Sequence, residues 1–269
     1  MTADVGWFKY LFEDLACPLT TSLPFAGNPI PFVSLIGAYL LFCLKIGPWF
    51  MKNKRPYNLK KTIQIYNFVQ VILSAFLVAV GFRRLFLMDY DFTCQDFRVD
   101  SKSTDFDILI SYMYFLAKLT ELLDTVFFVL RKSFRQISFL HLFHHTFMPC
   151  ICWFGITYYP AGNAIVFGTA NSLVHVVMYT YYLLASYGNK YKKFLWWKKY
   201  VTVLQLIQFI LVGLHAFHSV FYTHCNYPMI LKLIIALQAT VFFNMFWSFY
   251  STTYLRKGKS ALNGRRKAH

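Results

Sequence analysis

Residues 63–86 read IQIYNFVQVILSAFLVAVGFRRLF, and the stretch carries no charged side chain before Arg83. A helix needs about 20 mostly apolar residues to cross the hydrocarbon core of a membrane. This stretch therefore predicts a membrane-spanning helix. Counted with six similar stretches, it gives seven predicted spans, at about 30–51, 63–86, 108–130, 137–157, 163–187, 200–222 and 229–254.

The composition agrees with a membrane protein. Of the 269 residues, 57% are hydrophobic and 14% are charged, yet the formal net charge is +16. This hydrophobicity argues against a disordered chain and against a soluble nucleic-acid-binding protein. Because the spans use most of the chain, we expect an all-α polytopic membrane protein with a single integral membrane domain over residues 1–269. The short linkers predict that neighbouring helices run antiparallel.

The charges are segregated between the linkers. Residues 52–61, 131–135, 188–199 and 255–269 hold 19 of the 27 Lys and Arg and no Asp or Glu. With seven spans these four segments lie on one side of the membrane and nine of the 11 acids on the other, whereas six or eight spans would break the pattern. The positive-inside rule makes the basic side cytosolic. The N-terminus is then predicted to be lumenal or extracellular, and the C-terminus cytosolic.

Two cysteines lie in linkers on the acidic side, where an oxidising compartment lets a disulfide persist. Cys94 follows the second span and Cys225 follows the sixth. A Cys94–Cys225 disulfide is one hypothesis, and two free thiols are the alternative, with Cys17 as a competing partner. No CxxC pair suggests a zinc site, and we predict no metal site.

Ionisable side chains inside a predicted span are costly and usually face the interior of a helix bundle. The third span carries Lys118, Glu121, Asp124 and Thr125, at offsets that place them on one helix face near its basic end. Of the 11 acids in the chain, Glu121 and Asp124 are the two that do not lie on the side opposite the basic linkers. A candidate site is one interpretation, and an ion pair that only locks helices together is the other.

Three histidines open the fourth span. His141, His144 and His145 share one helix face, and we call them the histidine box. Imidazoles at this spacing fit either metal binding or work as nucleophile and general base near neutral pH. Cys152 lies two turns deeper on the face of His144 and is an alternative nucleophile, although no feature of the sequence activates its thiol.

Two further polar stripes lie in the fifth and sixth spans. The fifth has Asn171, His175, Tyr179 and Tyr182 on one stripe. The sixth begins with Thr202, Gln205 and Gln208. A tyrosine stripe is typical of packing or of an interfacial belt, and amides often bridge helices. The histidine within the first stripe favours a site at that level of the membrane.

Together these patterns resemble the very-long-chain fatty acid elongase family, the condensing enzymes of the endoplasmic reticulum (ER) membrane. The matching segments are KLTELLDT (118–125), HLFHH (141–145), NSLVHVVMYTYY (171–182) and TVLQLIQF (202–209). The resemblance covers almost the whole chain. It implies seven transmembrane helices, of which helices two to seven form a six-helix barrel around an acyl-chain tunnel that is closed toward the lumen and open to the cytosol.

The resemblance also implies an acyltransferase, a very-long-chain 3-oxoacyl-CoA synthase. A long-chain acyl-CoA and malonyl-CoA would condense to a 3-oxoacyl-CoA two carbons longer, with release of CO2 and CoA. Both thioesters are substrates, and no cofactor is expected. The expected partners are the ER bilayer and the reductases and dehydratase of the elongation cycle, with a homo-oligomer as a further assembly and no nucleic acid.

We expect ping-pong covalent catalysis. His144 is the best candidate to form an acyl-imidazole. His175 and Asn171 would stabilise the enolate of malonyl-CoA or handle protons, and His141 and His145 would orient or activate the nucleophile. Glu121 and Asp124 would support the box. The candidate substrate-binding residues are Lys118, Glu121, Asp124, Tyr179, Tyr182, Gln205, Gln208, Lys198 and Lys199, the two last as partners of the CoA phosphates.

Two rival functions stay open. A di-iron membrane desaturase or hydroxylase also uses an HxxHH motif, but it needs several histidine clusters. This chain has eight histidines, one full HxxHH, and His269 at its end. A seven-helix receptor or transporter fits the topology, but it gives no reason for the shared level of the polar groups. In an elongase the closed end of the tunnel would set chain length, and we expect it near His215, Phe217 and His218.

Overall fold

The fold was analysed in a computed structural model, which describes residues 6–7, 9–99, 101–221 and 226–256. Within these ranges the chain is helical and contains no β-strand, so the predicted all-α class is confirmed. The main helices are α1 (Pro29–Met51), α2 (Lys60–Phe86), α3 (Thr104–Thr120), α4 (Leu123–Leu130), α5 (Phe139–Tyr158), α6 (Ala164–Ser186), α7 (Lys198–Phe221) and α8 (Met229–Tyr250). Short helical turns cover Tyr10–Asp14, Phe134–Gln136, Gly188–Phe194 and Ser251–Arg256.

Among the described residues, four helical stretches are long and apolar enough to cross a membrane: Pro29–Met51, Lys60–Phe86, Lys198–Phe221 and Met229–Leu255. The chain is therefore a multi-pass membrane protein. Helices α3 and α4 are short, and α5 and α6 carry the histidines and other polar side chains of the candidate site, which lower their hydropathy. The count of seven spans stays a prediction.

The continuous helix predicted over 108–130 is divided into α3 and α4. The break lies at Glu121 and Leu122, where the Leu122 N–H donates to the Leu119 carbonyl at 3.3 Å, a tighter pattern than the α-helical one. The Thr120 hydroxyl donates to the Ala117 carbonyl at 2.7 Å. The helix therefore ends among the polar side chains of the candidate site.

The start of α5 positions the histidine box. Ser138 is in an extended conformation, and its hydroxyl accepts the backbone N–H of His141 at 3.2 Å. Serine is among the preferred residues for this capping position because it satisfies an otherwise unpaired N–H of the first turn. The cap fixes the first helical turn and hence the direction in which the three imidazoles project.

The helices that carry the candidate site pack as neighbours. Helix α2 packs on α3 and α6, α3 on α5, α6 on α7, and α7 on α8. Helix α5 meets α8 through ring contacts of Phe143, His144 and Phe147 with Phe242. Gly81 of α2 permits the close approach to α6, since a Cβ at this position would overlap the Thr169 hydroxyl.

Helix α1 packs on α3, α4 and α5. Its buried residues Phe32, Tyr39 and Met51 form one apolar cluster with Phe115 of α3 and Val129 of α4. The segment before α1 is bound to the far end of α5, where the Cys17 N–H donates to the Thr157 carbonyl at 2.7 Å.

A buried ion pair and a disulfide lie at the end of the bundle opposite the basic linkers. The Arg84 Nε donates to Asp107 at 2.5 Å, and both side chains are buried. Cys94 is buried and disulfide-bonded. The predicted partner, Cys225, lies outside the described residues, so the Cys94–Cys225 pairing stays a prediction. Cys17 is free, so the predicted competition from it is not found.

Candidate functional site

A hydrogen-bonded network of five side chains is built around the carboxylate of Glu121, which two of them contact directly. The Glu121 Oε1 accepts from the Lys118 Nζ at 2.7 Å and from the His175 Nδ1 at 3.0 Å. The Asn171 Oδ1 accepts from the Lys118 Nζ at 2.7 Å and from the Tyr114 hydroxyl at 2.8 Å. We call these five residues the Glu121 cluster. All of them are buried, so α3 and α6 are joined by a closed polar network.

The chemistry of this cluster follows from its burial. Charges withdrawn from water persist only when they are paired and hydrogen-bonded, and here the Lys118 ammonium faces the Glu121 carboxylate. An ionised carboxylate can only accept hydrogen bonds, so the His175 Nδ1 must carry the proton of that contact. The His175 Nε2 then keeps a free lone pair, as a general base or a nucleophile requires.

Asp124 belongs to a second pairing between α4 and α6. Its Oδ2 accepts the Tyr179 hydroxyl at 2.8 Å. The Tyr66 hydroxyl lies 3.5 Å from the Tyr179 hydroxyl and accepts from the Gln70 Nε2 at 3.0 Å. The same Gln70 nitrogen donates to the Thr120 hydroxyl at 3.0 Å. Sequence reasoning missed Tyr66 and Gln70, although they are four residues apart on one face of α2.

The three imidazoles of the histidine box lie together, half-buried, on α5. The ring centroids of His141 and His145 are 4.2 Å apart, and those of His144 and His145 are 5.2 Å apart. The ring of His144 packs edge-on against Phe242, with centroids 5.1 Å apart. Among the described residues, no hydrogen-bond partner is found for the ring nitrogens of His144 or His145, whereas the His141 Nε2 lies 2.9 Å from the Thr125 hydroxyl.

The two acids make their hydrogen bonds outside the histidine box, and their support of the box stays a prediction. Glu121 bonds to His175, and Asp124 bonds to Tyr179, so neither carboxylate is hydrogen-bonded to His141 or His145. Thr125, beyond the break between α3 and α4, supplies the contact to the box instead.

The remaining candidate residues surround this centre at varying distances. Tyr182 is 42% exposed and packs edge-on against Tyr179. The Gln205 Nε2 lies 3.7 Å from the sulfur of Met178. Gln208 is buried, and in the described part of the chain its Nε2 has no partner. Lys198 and Lys199 are exposed at the start of α7 and are not joined to the cluster.

An apolar cavity of about 80 Å³ lies on one side of the cluster, toward the ends of the helices near Cys94. Leu77, Ile110, Cys152, Phe167 and Leu231 are among its lining residues. Tyr159 and Tyr227 line it too, whereas His215, Phe217 and His218 do not. The closed end predicted near these three residues therefore stays a prediction.

A second, open cavity of about 710 Å³ lies on the other side of the cluster, among the basic linkers. Lys60 and Arg131 line it, together with Asp124 and Tyr182. Its lining is more polar than that of the apolar cavity and includes two cations and one acid.

The two cavities and the cluster follow one another along the helices. On α6, Ser172 lines the apolar cavity, His175 belongs to the cluster, and Tyr182 lines the open cavity. On α3 and α4, Tyr114 lines the apolar cavity and Asp124 the open one. A polar layer, made of the Glu121 cluster, the Asp124–Tyr179 pair and the histidine box, therefore separates them.

The thiols and possible metal ligands were also located. Cys150 and Cys152 are free, and Cys152 lines the apolar cavity. The described ranges contain no group of three or more His, Cys, Asp or Glu side chains that could hold a metal ion.

Comparison with known proteins gives one consistent family. A model of the GNS1/SUR4 family (ELO) matches residues 24–262. Very long chain fatty acid elongase 7 of Drosophila melanogaster is 36% identical over 266 residues, which is 98% of this chain and 80% of that protein. Very long chain fatty acid elongase 1 of Mus musculus is 39% identical over 96% of this chain and 93% of its own. Very long chain fatty acid elongase 4 of Homo sapiens is 38% identical over 90% of this chain and 78% of its own length. These matches confirm the resemblance found in the sequence: the chain belongs to the ELO (GNS1/SUR4) family of very long chain fatty acid elongases.

Proposed function

We propose that this protein is the condensing enzyme of fatty acid elongation, a very-long-chain 3-oxoacyl-CoA synthase. It would join a long-chain acyl-CoA to malonyl-CoA and release CO2 and CoA. The observation that carries the proposal is the polar layer between an apolar cavity and a more polar, open cavity that two cations line. An acyl-CoA has the same order of parts, since an apolar chain is joined through a reactive thioester to an anionic carrier.

Each cavity suits one part of the substrate. The apolar cavity, lined by residues such as Leu77 and Phe167, would hold the acyl chain. Lys60 and Arg131 of the open cavity offer cations to the CoA phosphates. Lys198 and Lys199, exposed on α7, would add to the positive field at the same side. Tyr182, Gln205 and Gln208 would line the passage between.

The polar layer would supply the chemistry in two steps. A free imidazole nitrogen of His144 attacks the thioester carbon, the carbon–sulfur bond breaks, and CoA leaves with a proton. Malonyl-CoA then loses CO2, and the enolate carbon attacks the acyl-imidazole. The carbon–nitrogen bond breaks, and the leaving imidazole takes up one proton from water, which restores His144. Asn171, whose amide oxygen is held by Lys118, would stabilise the enolate oxygen through its amide N–H, and His175, held by Glu121, would handle protons at its Nε2. These steps need no metal and no cofactor.

The architecture we propose is seven spans in one integral membrane domain over residues 1–269. Helices α2 to α8 would supply spans two to seven, with α3 and α4 together as the third. The neighbour order α5–α3–α2–α6–α7–α8, with the aromatic contacts between α8 and α5, supports a six-helix barrel. The basic linkers support a cytosolic open cavity, with the C-terminus cytosolic and the N-terminus in the ER lumen.

The proposed partners follow from the product. A 3-oxoacyl-CoA must be reduced, dehydrated and reduced again before the next cycle, so reductases and a dehydratase would act beside this enzyme in the ER membrane. A homo-oligomer is a further proposed assembly.

The covalent step is tested with acyl-CoA alone. We expect purified protein to release about one equivalent of CoA before turnover stops, and to gain the mass of one acyl group. His144→Gln should abolish both signals. His215→Gln, which removes an imidazole that lines neither cavity, is the matched control and should retain them. A wild-type protein that elongates with malonyl-CoA but forms no acyl adduct would disprove the mechanism.

A further inference from the structure

A buried hydrogen-bond chain connects α1 to the histidine box. The Tyr39 hydroxyl lies 2.7 Å from the Thr125 hydroxyl, which lies 2.9 Å from the His141 Nε2. Tyr39 is 6% exposed and Thr125 is 0% exposed. Three helices, α1, α4 and α5, thus meet in one line of hydrogen bonds that ends on an imidazole.

The protons of this chain can be arranged in two directions. In the first, Tyr39 donates to Thr125, and Thr125 donates to the His141 Nε2. In the second, the His141 Nε2–H donates to Thr125, and Thr125 donates to Tyr39. The second direction leaves the Tyr39 proton without an acceptor, because the structure shows no other partner for this hydroxyl among the described residues.

The satisfaction of buried donors selects the first direction. An unpaired buried hydroxyl loses its hydration without compensation, whereas the first arrangement uses both hydroxyl protons. Among the described residues it leaves only the Nδ1–H of His141 without a protein acceptor, and that ring is half-buried. His141 must then be neutral, with its proton on Nδ1 and its Nε2 lone pair occupied by the Thr125 hydroxyl. That nitrogen is not free to attack a thioester.

We propose that Tyr39 and Thr125 are positioning residues that fix His141 as the Nδ1–H tautomer. His141 in turn orients the box through its ring contact with His145. The acyl group would therefore be carried by an imidazole whose nitrogens lack a protein partner, and His144 is one of these. The inference rests on the proposed function for its catalytic meaning, but the tautomer itself can be measured without elongation.

The experiment is nitrogen NMR of histidine-labelled protein in lipid nanodiscs, with the His141 signal assigned by its loss in His141→Gln. We expect the wild-type His141 to be protonated on Nδ1. Thr125→Val, which keeps the shape and removes the hydroxyl, should convert this signal to a mixture of tautomers, whereas Thr125→Ser should leave it unchanged. Tyr39→Phe should also shift it, because the Thr125 hydroxyl loses the donor that orients it.

Tyr112→Phe is the matched control. It removes a tyrosine hydroxyl that donates to the Pro24 carbonyl, away from the box, and should leave the His141 signal unchanged.

In elongation assays Thr125→Val should lower kcat about three- to tenfold with KM unchanged, as expected for one lost hydrogen bond. Thr125→Ser should keep kcat near the wild-type value. A wild-type His141 protonated on Nε2, or a signal unchanged in both Thr125→Val and Tyr39→Phe, overturns the proposal. A shifted signal in a protein without elongase activity would overturn the proposed function and leave the hydrogen-bond chain standing.

Discussion

Glu121→Gln removes one negative charge from the centre of the polar layer and keeps the size of the side chain. In the native protein a single oxygen, Oε1, accepts from both Lys118 and His175. The substitution leaves the Lys118 ammonium buried without its counter-charge. Breaking a buried ion pair costs about 3–5 kcal/mol, which corresponds to a decrease in Tm of roughly 6–20 °C for a chain of this size.

The same substitution should reduce activity beyond its effect on stability. A carboxylate forces the proton of His175 onto Nδ1, whereas a glutamine amide can donate to that nitrogen and favour the opposite tautomer. The His175 Nε2 would then no longer be available as a base. Loss of a positioned acid–base group costs about 10²- to 10⁴-fold, and we expect a decrease in kcat of this size for the folded fraction.

Two variants separate charge from chemistry. Asp107→Asn breaks the buried pair with Arg84 at the other end of the bundle and should lower Tm to a similar extent, with kcat within about threefold of wild type. Lys118→Met combined with Glu121→Gln removes both charges and should recover much of the Tm but not the activity.

The assay is elongation of acyl-CoA with labelled malonyl-CoA in nanodiscs, at a temperature where each variant is folded, with Tm measured on the same samples. If Glu121→Gln retains kcat within about threefold of wild type, or if Asp107→Asn loses as much activity, then Glu121 is only a structural ion-pair partner.

Three further predictions follow from the packing and the cavities. Gly81→Ala should lower Tm, since overpacking of a close helix contact costs about 1–3 kcal/mol; an unchanged Tm would show that α2 and α6 can separate freely. Ala164→Phe, which fills the apolar cavity, should shift products of an acyl-CoA panel toward shorter chains, whereas Leu173→Phe on the exposed face of the same helix should not; equal product profiles would place the acyl chain elsewhere. Lys60→Gln should raise the KM for acyl-CoA about three- to tenfold at low salt, because it removes a cation from the open cavity. Lys54→Gln, outside that cavity, should leave the KM for acyl-CoA unchanged. An equal rise in KM in the two variants would show that Lys60 acts only through the general positive charge of this side.

The long apolar helices could be predicted closely from the sequence. The span predicted at 63–86 is found as Lys60–Phe86, and the span at 200–222 as Lys198–Phe221. An apolar run of membrane length has few alternatives. The break at Glu121 could not be predicted, because residues 118–125 contain no Gly or Pro and the break is stabilised by contacts with other helices.

For the candidate site, the sequence predicted the residue types and the level but not the pairings. Helical spacing shows which residues share a face of one helix, and it says nothing about the partner across the bundle. The pairing of Glu121 with His175 therefore could not be derived. Tyr114 was missed although it precedes Lys118 by one turn on the same face, and Tyr39 was missed because a tyrosine in an apolar helix is usually packing.

The helix break and the open cavity have a common physical reason. Backbone that leaves the helical pattern at membrane depth must be buried in protein or must face water, and the break between α3 and α4 lies next to the cavity that Asp124 lines. The break also creates a new helix N-terminus with Asp124 in its first turn, where the partial positive charge of the helix dipole favours a carboxylate. The break between α3 and α4 thus itself stabilises the charge of Asp124. A continuous α3–α4 helix would lose both the pairing of Asp124 with Tyr179 and the turn that directs Glu121 to His175.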